Sequence, residues 1–483
     1  MSRLFRFAWL TVVAAMGSAG PVGAADPTKP NVVFILCDDL GVNDLGCYGR
    51  VEHRTPNLDA MAKAGARFTA AYAACPVCSP TRAAILTGKH PARLHITTFL
   101  PGRADAPSQK LLHPNIRQQL PLEEVTLAEH LKAAGYATAC IGKWHLGGAA
   151  FGPDRQGFDV VHAGRANTPP TADEGGKGES DLTRKAEEFI TANRDRPFFL
   201  YLAHHTPHIP LGANRDLVEK YKAAFNPTYA AMIETMDASV GRVLKALDDA
   251  KVAERTIVVF TSDNGGLHVP ELKDDPPTHN TPYRAGKGFL YEGGIRIPLI
   301  VRWPGVVKPG GLTDTPVIST DWTPTFLDAS GVKAPDLDGV SLLPVLRGEK
   351  LGPRSLFWHV PHYTNQGSRP GGAVRTGHYK LIEHYDEDRV ELFDLSSDPG
   401  ETRNLADSDP GRAAGLRGQL AQRRKAVGAQ SNHPNPAFDA ALHKKLYIDT
   451  DVSKLTPAAT AAKTGEPLVG WRREIDTVVR KKK

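Results

Sequence analysis

Continuous runs of apolar residues, each followed by a polar cluster, recur along the first two thirds of the chain. Unbroken runs of this kind are typical of parallel strands that are buried on both faces of a sheet. They predict strands at Asn31–Cys37, 136–141, 197–203, 256–261 and 297–301. A strand is also predicted at 66–72, and residues 101–121, which hold prolines and polar residues without a period, are predicted to form a long surface loop. Residues 229–250 follow a helical period instead, with one apolar stripe formed by Met232, Met236, Val240, Val243 and Leu247. Strands alternating with helices predict an α/β fold around a large, mostly parallel sheet.

From about residue 356 the pattern changes to short strand signals separated by turns. The signals lie at 357–360, 372–376, 379–383 and 391–394, and a helical stretch follows at 410–427. This order predicts a small C-terminal antiparallel sheet with one helix. After residue 430 few apolar residues recur at a regular period, which predicts a tail that either wraps the surface or is poorly ordered.

The beginning of the chain has the pattern of an export signal. Arg3 and Arg6 form a basic start, an apolar core follows at 7–16, and Val22-Gly23-Ala24 resembles a cleavage site. The apolar core is too short to span a bilayer, so we expect no stable membrane insertion after cleavage. The expected location is periplasmic or secreted.

These changes divide the 483 residues into four parts. Residues 1–25 are the predicted signal peptide, 26–350 the large domain, 351–430 a small α+β subdomain and 431–483 the tail. The net charge of +6 is small for this length and gives no reason to expect nucleic acid as a partner.

Four of the apolar strands end in polar residues that are suited to chemistry. The carboxyl ends of strands in an open α/β sheet meet where ligands bind, so we expect these clusters to converge. Two of them supply only oxygen donors: Asp38, Asp39, Asp263 and Asn264. Such a set favours a hard cation over zinc, with Ca²⁺ preferred and Mg²⁺ left open.

A second feature lies at Cys78, which precedes a predicted short helix from about Pro80 to Leu86. Ser79 is the expected N-cap, and Gly88 is a natural stop. Free backbone N–H groups and the helix dipole make such a site attractive to an anion. Five cysteines are an odd count for an exported chain. Cys37 and Cys140 are predicted to be buried thiols, whereas Cys47 and Cys75 stay unassigned.

Three cations, Arg82, Lys143 and Lys287, accompany these clusters. Each alone is compatible with a surface charge or a structural ion pair. Together, beside a divalent metal, they form a site that needs an anion, for which a sulfate or phosphate ester is the natural choice. Two histidines complete the set at strand ends, His145 and His208, with His204 and His205 competing for the place of His208.

The stretch Cys78-Ser-Pro-Thr-Arg82, followed by Leu-Thr-Gly88, resembles the Cys-x-Pro-x-Arg core of the type I sulfatases. The resemblance runs from Asn31 to about Asn404. It includes the paired aspartates, Gly-Lys-Trp-His-Leu-Gly at 142–147, Pro-His-x-Pro at 207–210, Ser-Asp-Asn-Gly-Gly at 262–266 and Lys287 ahead of Glu-Gly-Gly-x-Arg. It implies an alkaline-phosphatase-like α/β/α sandwich. It also implies that a formylglycine-generating or other sulfatase-maturing enzyme converts Cys78 to Cα-formylglycine, which joins Asp38, Asp39, Asp263 and Asn264 at the metal.

The resemblance implies a role for each remaining side chain. The hydrated aldehyde at position 78 is the nucleophile, and Arg82, Lys143 and Lys287 stabilise charge on the sulfate oxygens. His208 protonates the leaving alcohol, and His145 takes the proton that allows sulfate to leave.

The wider stretch 75–103 resembles bacterial arylsulfatase-like enzymes that act on sulfated polysaccharides. It implies a substrate among sulfated carbohydrates, such as sulfated galactan or glycosaminoglycan fragments. The candidates for sugar contacts are Arg93, His95, Arg103 and His268. Three alternatives stay open: a phosphodiester or phosphonate monoester hydrolase of the same superfamily, a thiol-redox site at Cys75-x-x-Cys78, and a non-catalytic binder of sulfated glycans.

Overall fold

The computed structural model describes residues 29–166 and 176–480, so the predicted signal peptide lies outside the described residues. The strands are β1 (Asn31–Cys37), β2 (Ala66–Phe68), β3 (Ala71–Tyr72), β4 (Leu111–Leu112), β5 (Ala137–Gly142), β6 (Val160–His162), β7 (Phe198–Ala203), β8 (Thr256–Ser262), β9 (Leu299–Arg302), β10 (Gly311–Thr313), β11 (Val317–Ile318), β12 (Ser355–Val360), β13 (Gly371–Thr376), β14 (Tyr379–His384), β15 (Arg389–Asp394) and β16 (His433–Pro434).

The α-helices are α1 (Pro56–Ala64), α2 (Cys78–Thr87), α3 (Pro91–Leu94), α4 (Leu127–Ala133), α5 (Glu179–Ala192), α6 (Arg215–Lys220), α7 (Pro227–Asp249), α8 (Glu292–Ile295), α9 (Trp322–Ala329), α10 (Leu343–Leu346), α11 (Pro410–Ala426), α12 (Ala440–His443), α13 (Ala461–Gly465) and α14 (Val469–Arg480). Single 3₁₀ turns lie at Gly46–Tyr48, Ala149–Phe151, Pro153–Arg155, Ala253–Arg255, Ser319–Asp321, Val452–Lys454 and Glu466–Leu468, and a π-helical turn lies at Lys444–Ile448.

The large sheet has the order β10-β2-β9-β8-β1-β7-β5-β6. Strands β8, β1, β7, β5 and β6 are parallel neighbours, and β9 runs antiparallel to both β8 and β2. The prediction of a large, mostly parallel sheet is therefore confirmed. The four apolar strands that end in polar clusters, β8, β1, β7 and β5, are adjacent.

Alternate side chains of β1 enter two different cores. Val32, Phe34 and Leu36 pack with α9, whereas Val33 and Ile35 pack with α5 and α7. Both faces are covered by helices, which explains why the strand reads as an unbroken apolar run. The predicted stripe of α7 is buried, and its part from Met236 to Leu247 belongs to the second core. The α/β/α sandwich is thus confirmed.

The C-terminal sheet is an antiparallel meander of β12, β13, β14 and β15, with α11 packed against it. This also confirms the prediction. A buried ion cluster joins this small sheet to the large domain, because the Lys380 ammonium on β14 lies 2.9 Å from Glu292 of α8. The same ammonium lies 2.8 Å from Glu401. The division of the chain at residues 350 and 430 stays a prediction.

Two local expectations need correction. The single strand expected over 66–72 is split, since β2 belongs to the large sheet while β3 pairs with β11. The loop expected over 101–121 contains β4, which pairs with β16 of the tail in the register His433↔Leu112. The tail therefore wraps the surface, and its indole at Trp471 donates to the carbonyl of Leu446.

Across residues 29–166 and 176–480, none of the helices combines the length and the apolar character that crossing a bilayer requires.

Candidate active site

The predicted polar clusters meet at the carboxyl ends of β1, β5, β7 and β8. Asp38 and Asp39 follow β1, and Asp263 and Asn264 follow β8, the strand beside it. The segments after β7 and β5 deliver the remaining side chains on the other flank of β1: Lys143, His145, His204, His205 and His208. The expected convergence at one sheet edge is present.

Helix α2 begins two residues earlier than expected. Cys78 is its first residue, and Val77 is the N-cap. Ser79 does not cap the helix, because its hydroxyl accepts a hydrogen bond from the Leu100 backbone N–H at 3.1 Å. The helix ends as predicted at Gly88, which adopts φ 67°. Cys78 therefore lies within the first turn, among backbone N–H groups that have no partner in the helix.

The Cys78 thiol lies in a positive environment. Its Sγ is 3.2 Å from Nδ1 of His145, whose Nε2 donates to the Leu100 carbonyl at 2.7 Å. Burial alone would raise the pKa of Cys78, but the charges of Lys143 and His145 lower it to about 5. The sulfur marks where the oxygens of a modified side chain would lie, so the site stabilises a negative charge at that position.

Each of the three cations contacts one aspartate. The Lys143 Nζ atom lies 2.5 Å from Asp38, and that of Lys287 lies 2.6 Å from Asp39. The Arg82 guanidinium lies 2.7 Å from Asp263 and also donates to the Lys143 carbonyl at 2.8 Å. Burial raises the pKa of Asp38, but Lys143, His208 and Arg82 together hold it well below its usual range. The three carboxylates, Arg82 and Lys287 are buried, whereas the Lys143 side chain is 14% exposed.

Removing Arg82 should destabilise the fold, because it would leave Asp263 buried without its partner. We expect Arg82→Met to lower the free energy of unfolding by about 3–5 kcal/mol. A matched control is Arg93→Met, since Arg93 also pairs with a carboxylate, Asp338, but its side chain is 40% exposed. Arg93→Met should lower the free energy of unfolding by about 1 kcal/mol or less. Urea titration of both variants measures the difference, and equal losses would contradict a buried, weakly screened Arg82 pair.

The donor atoms fit a hard divalent cation. One ligand atom each from Asp38, Cys78 and Asp263 lie within 4.8 Å of one another. Among the described residues, Asp38 Oδ1 and Asn264 Oδ1 are buried and have no hydrogen-bond partner. Buried oxygens left unpaired are costly unless something binds them. An oxygen-rich set of this type suits Ca²⁺ or Mg²⁺.

His208, and not His204, is the histidine that reaches the site. Its Nδ1 donates to the Ile209 carbonyl at 2.6 Å, and its Nε2 lies 3.1 Å from Lys287 Nζ. His204 is fully buried, and neither of its ring nitrogens has a hydrogen-bond partner in the described part of the chain. His205 lines the open cleft near His208, and its Nε2 contacts the Ala163 carbonyl at 3.1 Å.

Two site residues have left-handed backbone conformations. Asp39 has φ 68° and His145 has φ 58°, and each lies just beyond the end of a strand. Non-glycine residues rarely adopt this region, and they persist there only when the surrounding contacts fix them. The backbone therefore orients one aspartate and the histidine beside Cys78.

A cleft of about 460 Å³ opens over the site. Its lining includes Asp38, Lys143, His145, His208 and the competing candidate His205. It also includes two side chains that sequence reasoning did not assign to it, Trp144 and Lys177. Trp144 belongs to the Gly-Lys-Trp-His-Leu-Gly motif at 142–147. For Lys177, the flanking glycines are the one feature of the sequence that could have indicated a fixed backbone.

The four side chains expected to contact a sugar lie elsewhere. Arg93 pairs with Asp338, and His95 contacts the Gly428 carbonyl at 3.1 Å. Arg103 donates to the Thr364 carbonyl at 2.7 Å, and His268 contacts the Val452 carbonyl at 3.1 Å. They hold loops and the tail in place, so the expectation that they line the cleft is not met.

The cysteines do not support a thiol-redox site. Cys37 and Cys140 are buried thiols, as predicted. Cys75 is also buried, and burial raises the pKa of its thiol far above the ordinary value. A reactive dithiol needs thiolate character at the attacking sulfur and an accessible partner, and Cys75 is a buried thiol on which no cationic group of the described residues acts.

Comparison with family models gives two matches. A model described as Sulfatase matches residues 30–332, and one described as N-sulphoglucosamine sulphohydrolase, C-terminal, matches residues 285–427. Together they extend over the large sheet, the meander and α11.

Several curated proteins are similar over most of the chain. Arylsulfatase A of Homo sapiens is 36% identical over 448 residues, which cover 79% of this chain and 84% of that protein. N-acetylgalactosamine-6-sulfatase of Canis lupus familiaris is 34% identical over 385 residues, covering 72% of each. Among solved structures, Ps i-CgsB in complex with k-i-k-neocarrahexaose has a TM-score of 0.71 at 28% identity, covering 82% of this chain and 92% of that chain.

Proposed function

This chain belongs to the sulfatase family of the alkaline phosphatase superfamily and is a sulfuric ester hydrolase, and we propose that its substrates are sulfated carbohydrates. Two of the similar proteins support this substrate class by their names. One is an N-acetylgalactosamine-6-sulfatase, and the other has a structure in complex with a neocarrahexaose. Sulfated galactan and glycosaminoglycan fragments are the candidates.

The observation that carries the proposal is the charge balance around Cys78. Three cations, Arg82, Lys143 and Lys287, each contact one of three aspartates, so the side chains alone sum to zero. A divalent cation bound at the aspartates would bring the net charge to about +2. A sulfate ester anion together with an ionised nucleophile would neutralise that charge.

Formylglycine at position 78 and a Ca²⁺ ion are part of this proposal. The buried aspartates, Asn264 and residue 78 would hold the ion, with Mg²⁺ as the alternative. When bound, the ion acts as a Lewis acid, and the hydrated aldehyde supplies the nucleophilic oxygen.

The chain's own residues would then orient and neutralise the sulfate group. Arg82 is fixed by Asp263 and by the Lys143 carbonyl, so its guanidinium needs little reorganisation. Lys143 and Lys287 are likewise held by Asp38 and Asp39. Preorganised donors of this kind stabilise charge that develops during the reaction. His145 lies closest to residue 78 through Nδ1 and would hold or accept a proton there.

His208 is the proposed general acid. Burial and the Lys287 charge lower its pKa, while Asp39 opposes that effect. An anionic sulfate ester beside the ring would raise the pKa again, because it favours the imidazolium. His208 would therefore carry its proton mainly in the substrate complex, where the leaving alcohol needs it.

We also propose that the chain is exported and that a maturing enzyme converts Cys78 early. The sequence of residues 1–25 predicts export to the periplasm or the medium. A sulfatase-maturing enzyme would have to act on Cys78 before folding is complete, because the thiol is 2% exposed in the folded chain.

Matched substrates test the function directly. Protein produced beside a formylglycine-generating enzyme is assayed on a sulfated sugar and on a matched phosphodiester and phosphonate monoester of the same sugar. We expect kcat/KM to favour the sulfate, to disappear on removal of divalent ions and to return on addition of Ca²⁺. A preference for the phosphorus ester would support the phosphohydrolase alternative instead.

A further inference from the structure

The short helix α8 contacts the loop that follows β8. The Gly265 N–H donates to the Gly294 carbonyl at 3.0 Å. A Cβ on Gly265 would collide with the Gly293 carbonyl, so only glycine permits this close approach. Asn264, a proposed ligand of the divalent cation, comes directly before Gly265. The position of α8 therefore fixes the backbone beside that ligand.

The same helix contacts the segment that carries Lys287. The Gly293 N–H donates to the carbonyl of Arg284, three residues before Lys287, at 2.9 Å. The Lys287 N–H in turn donates to the Gly266 carbonyl at 3.0 Å, which joins this segment to the loop after β8. One short helix thus holds the backbone that carries a proposed metal ligand and the backbone that carries a proposed sulfate contact.

The carboxylate of Glu292, the first residue of α8, anchors this helix inside the protein. Glu292 is fully buried. Its Oε2 accepts a hydrogen bond from the Tyr72 hydroxyl and another from Arg296 Nε, each at 2.7 Å. Tyr72 lies on β3, and the chain continues from there to Cys78. The carboxylate therefore connects α8 to the strand that precedes the proposed nucleophile.

A cation that balances Glu292 comes from the C-terminal sheet. The second oxygen of Glu292, Oε1, lies 2.9 Å from the Lys380 ammonium on β14, and neither side chain is exposed. Lys380 also pairs with Glu401, whose Oε2 accepts a hydrogen bond from the Glu292 N–H at 2.6 Å. Burial would raise the pKa of Glu292, but Lys380, Arg296 and Arg375 lower it to about 2. The carboxylate is therefore ionised at neutral pH, and it depends on these cations.

We propose, resting on the function proposed above, that Glu292 is a positioning residue of the active site and that Lys380 of the C-terminal sheet keeps it in place. A buried carboxylate that loses its counter-charge is strongly destabilised, so it moves toward water or takes up a proton. Either change weakens the hold on α8 and shifts Asn264 and Lys287 relative to residue 78. The C-terminal sheet thereby contributes to hydrolysis, although the described lining of the cleft contains no residue of that sheet.

Lys380→Met removes the ammonium and keeps most of the length of the side chain. Small displacements of groups that act in the transition state lower the rate steeply, so we expect kcat on nitrophenyl sulfate to fall about 10- to 100-fold with a much smaller change in KM. This substrate contains no sugar, so the result does not depend on the proposed substrate class. The double variant Lys380→Met/Glu292→Gln should recover part of kcat, because it removes both charges and glutamine still accepts from Tyr72 and Arg296.

Arg417→Met is the matched control. Arg417 also pairs with a carboxylate of β14, that of Glu383 at 2.8 Å, but its side chain is 44% exposed. The kcat of Arg417→Met should equal that of the wild type. A wild-type kcat in Lys380→Met overturns the inference. An equal loss in Lys380→Met and Arg417→Met also overturns it, since any lost ion pair of the C-terminal sheet would then have the same effect.

Amide hydrogen exchange keeps the test independent of turnover and of overall stability. It is measured on protein without formylglycine, at a temperature where circular dichroism shows that Lys380→Met is folded. We expect faster exchange in residues 262–266 and 284–296 of Lys380→Met, with β1 and β7 unchanged. Faster exchange throughout β1 and β7, or in the C-terminal sheet alone, contradicts a positioning role and leaves the proposed function intact. If the wild type instead prefers phosphorus esters, the proposed function fails, and the exchange pattern still decides the role of Glu292.

Discussion

Replacing Cys78 by serine is expected to stop the enzyme after one sulfo transfer. Serine offers a single hydroxyl in the same positive environment beside His145 and Lys143, so it can still attack a sulfate ester. It has no second hydroxyl whose deprotonation would expel the sulfate. Steady-state kcat should fall by about 10⁴-fold or more, as for other lost nucleophiles.

Rapid-mixing kinetics and the mass of the peptide containing residue 78 measure this result. We expect a burst of alcohol no larger than the amount of enzyme, together with a sulfo group on the serine hydroxyl of the Cys78→Ser variant. Cys78→Ala, which has no nucleophile, should show no burst. Sustained turnover by Cys78→Ser would contradict the account of why this position needs a modified cysteine.

Replacing His208 by glutamine is expected to slow hydrolysis in proportion to the basicity of the leaving group. The alkoxide of a sugar is a poor leaving group, so loss of the proton donor should lower kcat by about 10²–10⁴-fold on a sugar sulfate. A nitrophenolate leaves without protonation, so the loss on nitrophenyl sulfate should be much smaller. The ratio of the two losses is the quantity to measure.

His205→Gln is the matched control for this prediction. His205 lines the same cleft, but its Nε2 is engaged with the Ala163 carbonyl at 3.1 Å, so it is not assigned a proton-transfer role. Its replacement should lower kcat on the two substrates by similar, modest factors. A leaving-group dependence that appears in His205→Gln and not in His208→Gln would show that His208 is not the general acid.

The sheet edge that holds the site could be predicted from the sequence. A strand such as β1, buried on both faces, leaves an unbroken apolar run, and the polar residues after it mark the carboxyl end. Parallel strands bring such ends together whatever their separation in the chain. Asp38 and Asp263 are therefore predictable partners although 225 positions separate them in the sequence.

Details that depend on competing contacts could not be predicted. Ser79 is a good N-cap by type, but its hydroxyl accepts from Leu100, and α2 begins at Cys78 instead. Local propensity contains no information about a partner 21 residues away. The same limit explains why Arg103 and His268 were wrongly expected to line the cleft. Their partners are carbonyls far along the chain, in the C-terminal half and the tail.

The position of Lys177 in the cleft lining could not be predicted for a related reason. Lys177 follows a stretch without apolar periodicity, so its sequence indicated a loop and nothing more. Only the paired glycines on either side pointed to a fixed backbone. The link from Glu179 to Thr206 joins α5 to the loop after β7, and such a contact exists only in the folded chain.

Cys78 lies among three cation–aspartate pairs, and we expect it to become the formylglycine of a sulfatase. The most direct measurement is the mass of the proteolytic peptide containing residue 78, from protein produced with and without a formylglycine-generating enzyme. We expect the thiol sulfur to be exchanged for an aldehyde oxygen only with the maturing enzyme, and sulfate ester hydrolysis to rise with the converted fraction. An unmodified Cys78 in protein that hydrolyses sulfate esters at full rate would contradict it.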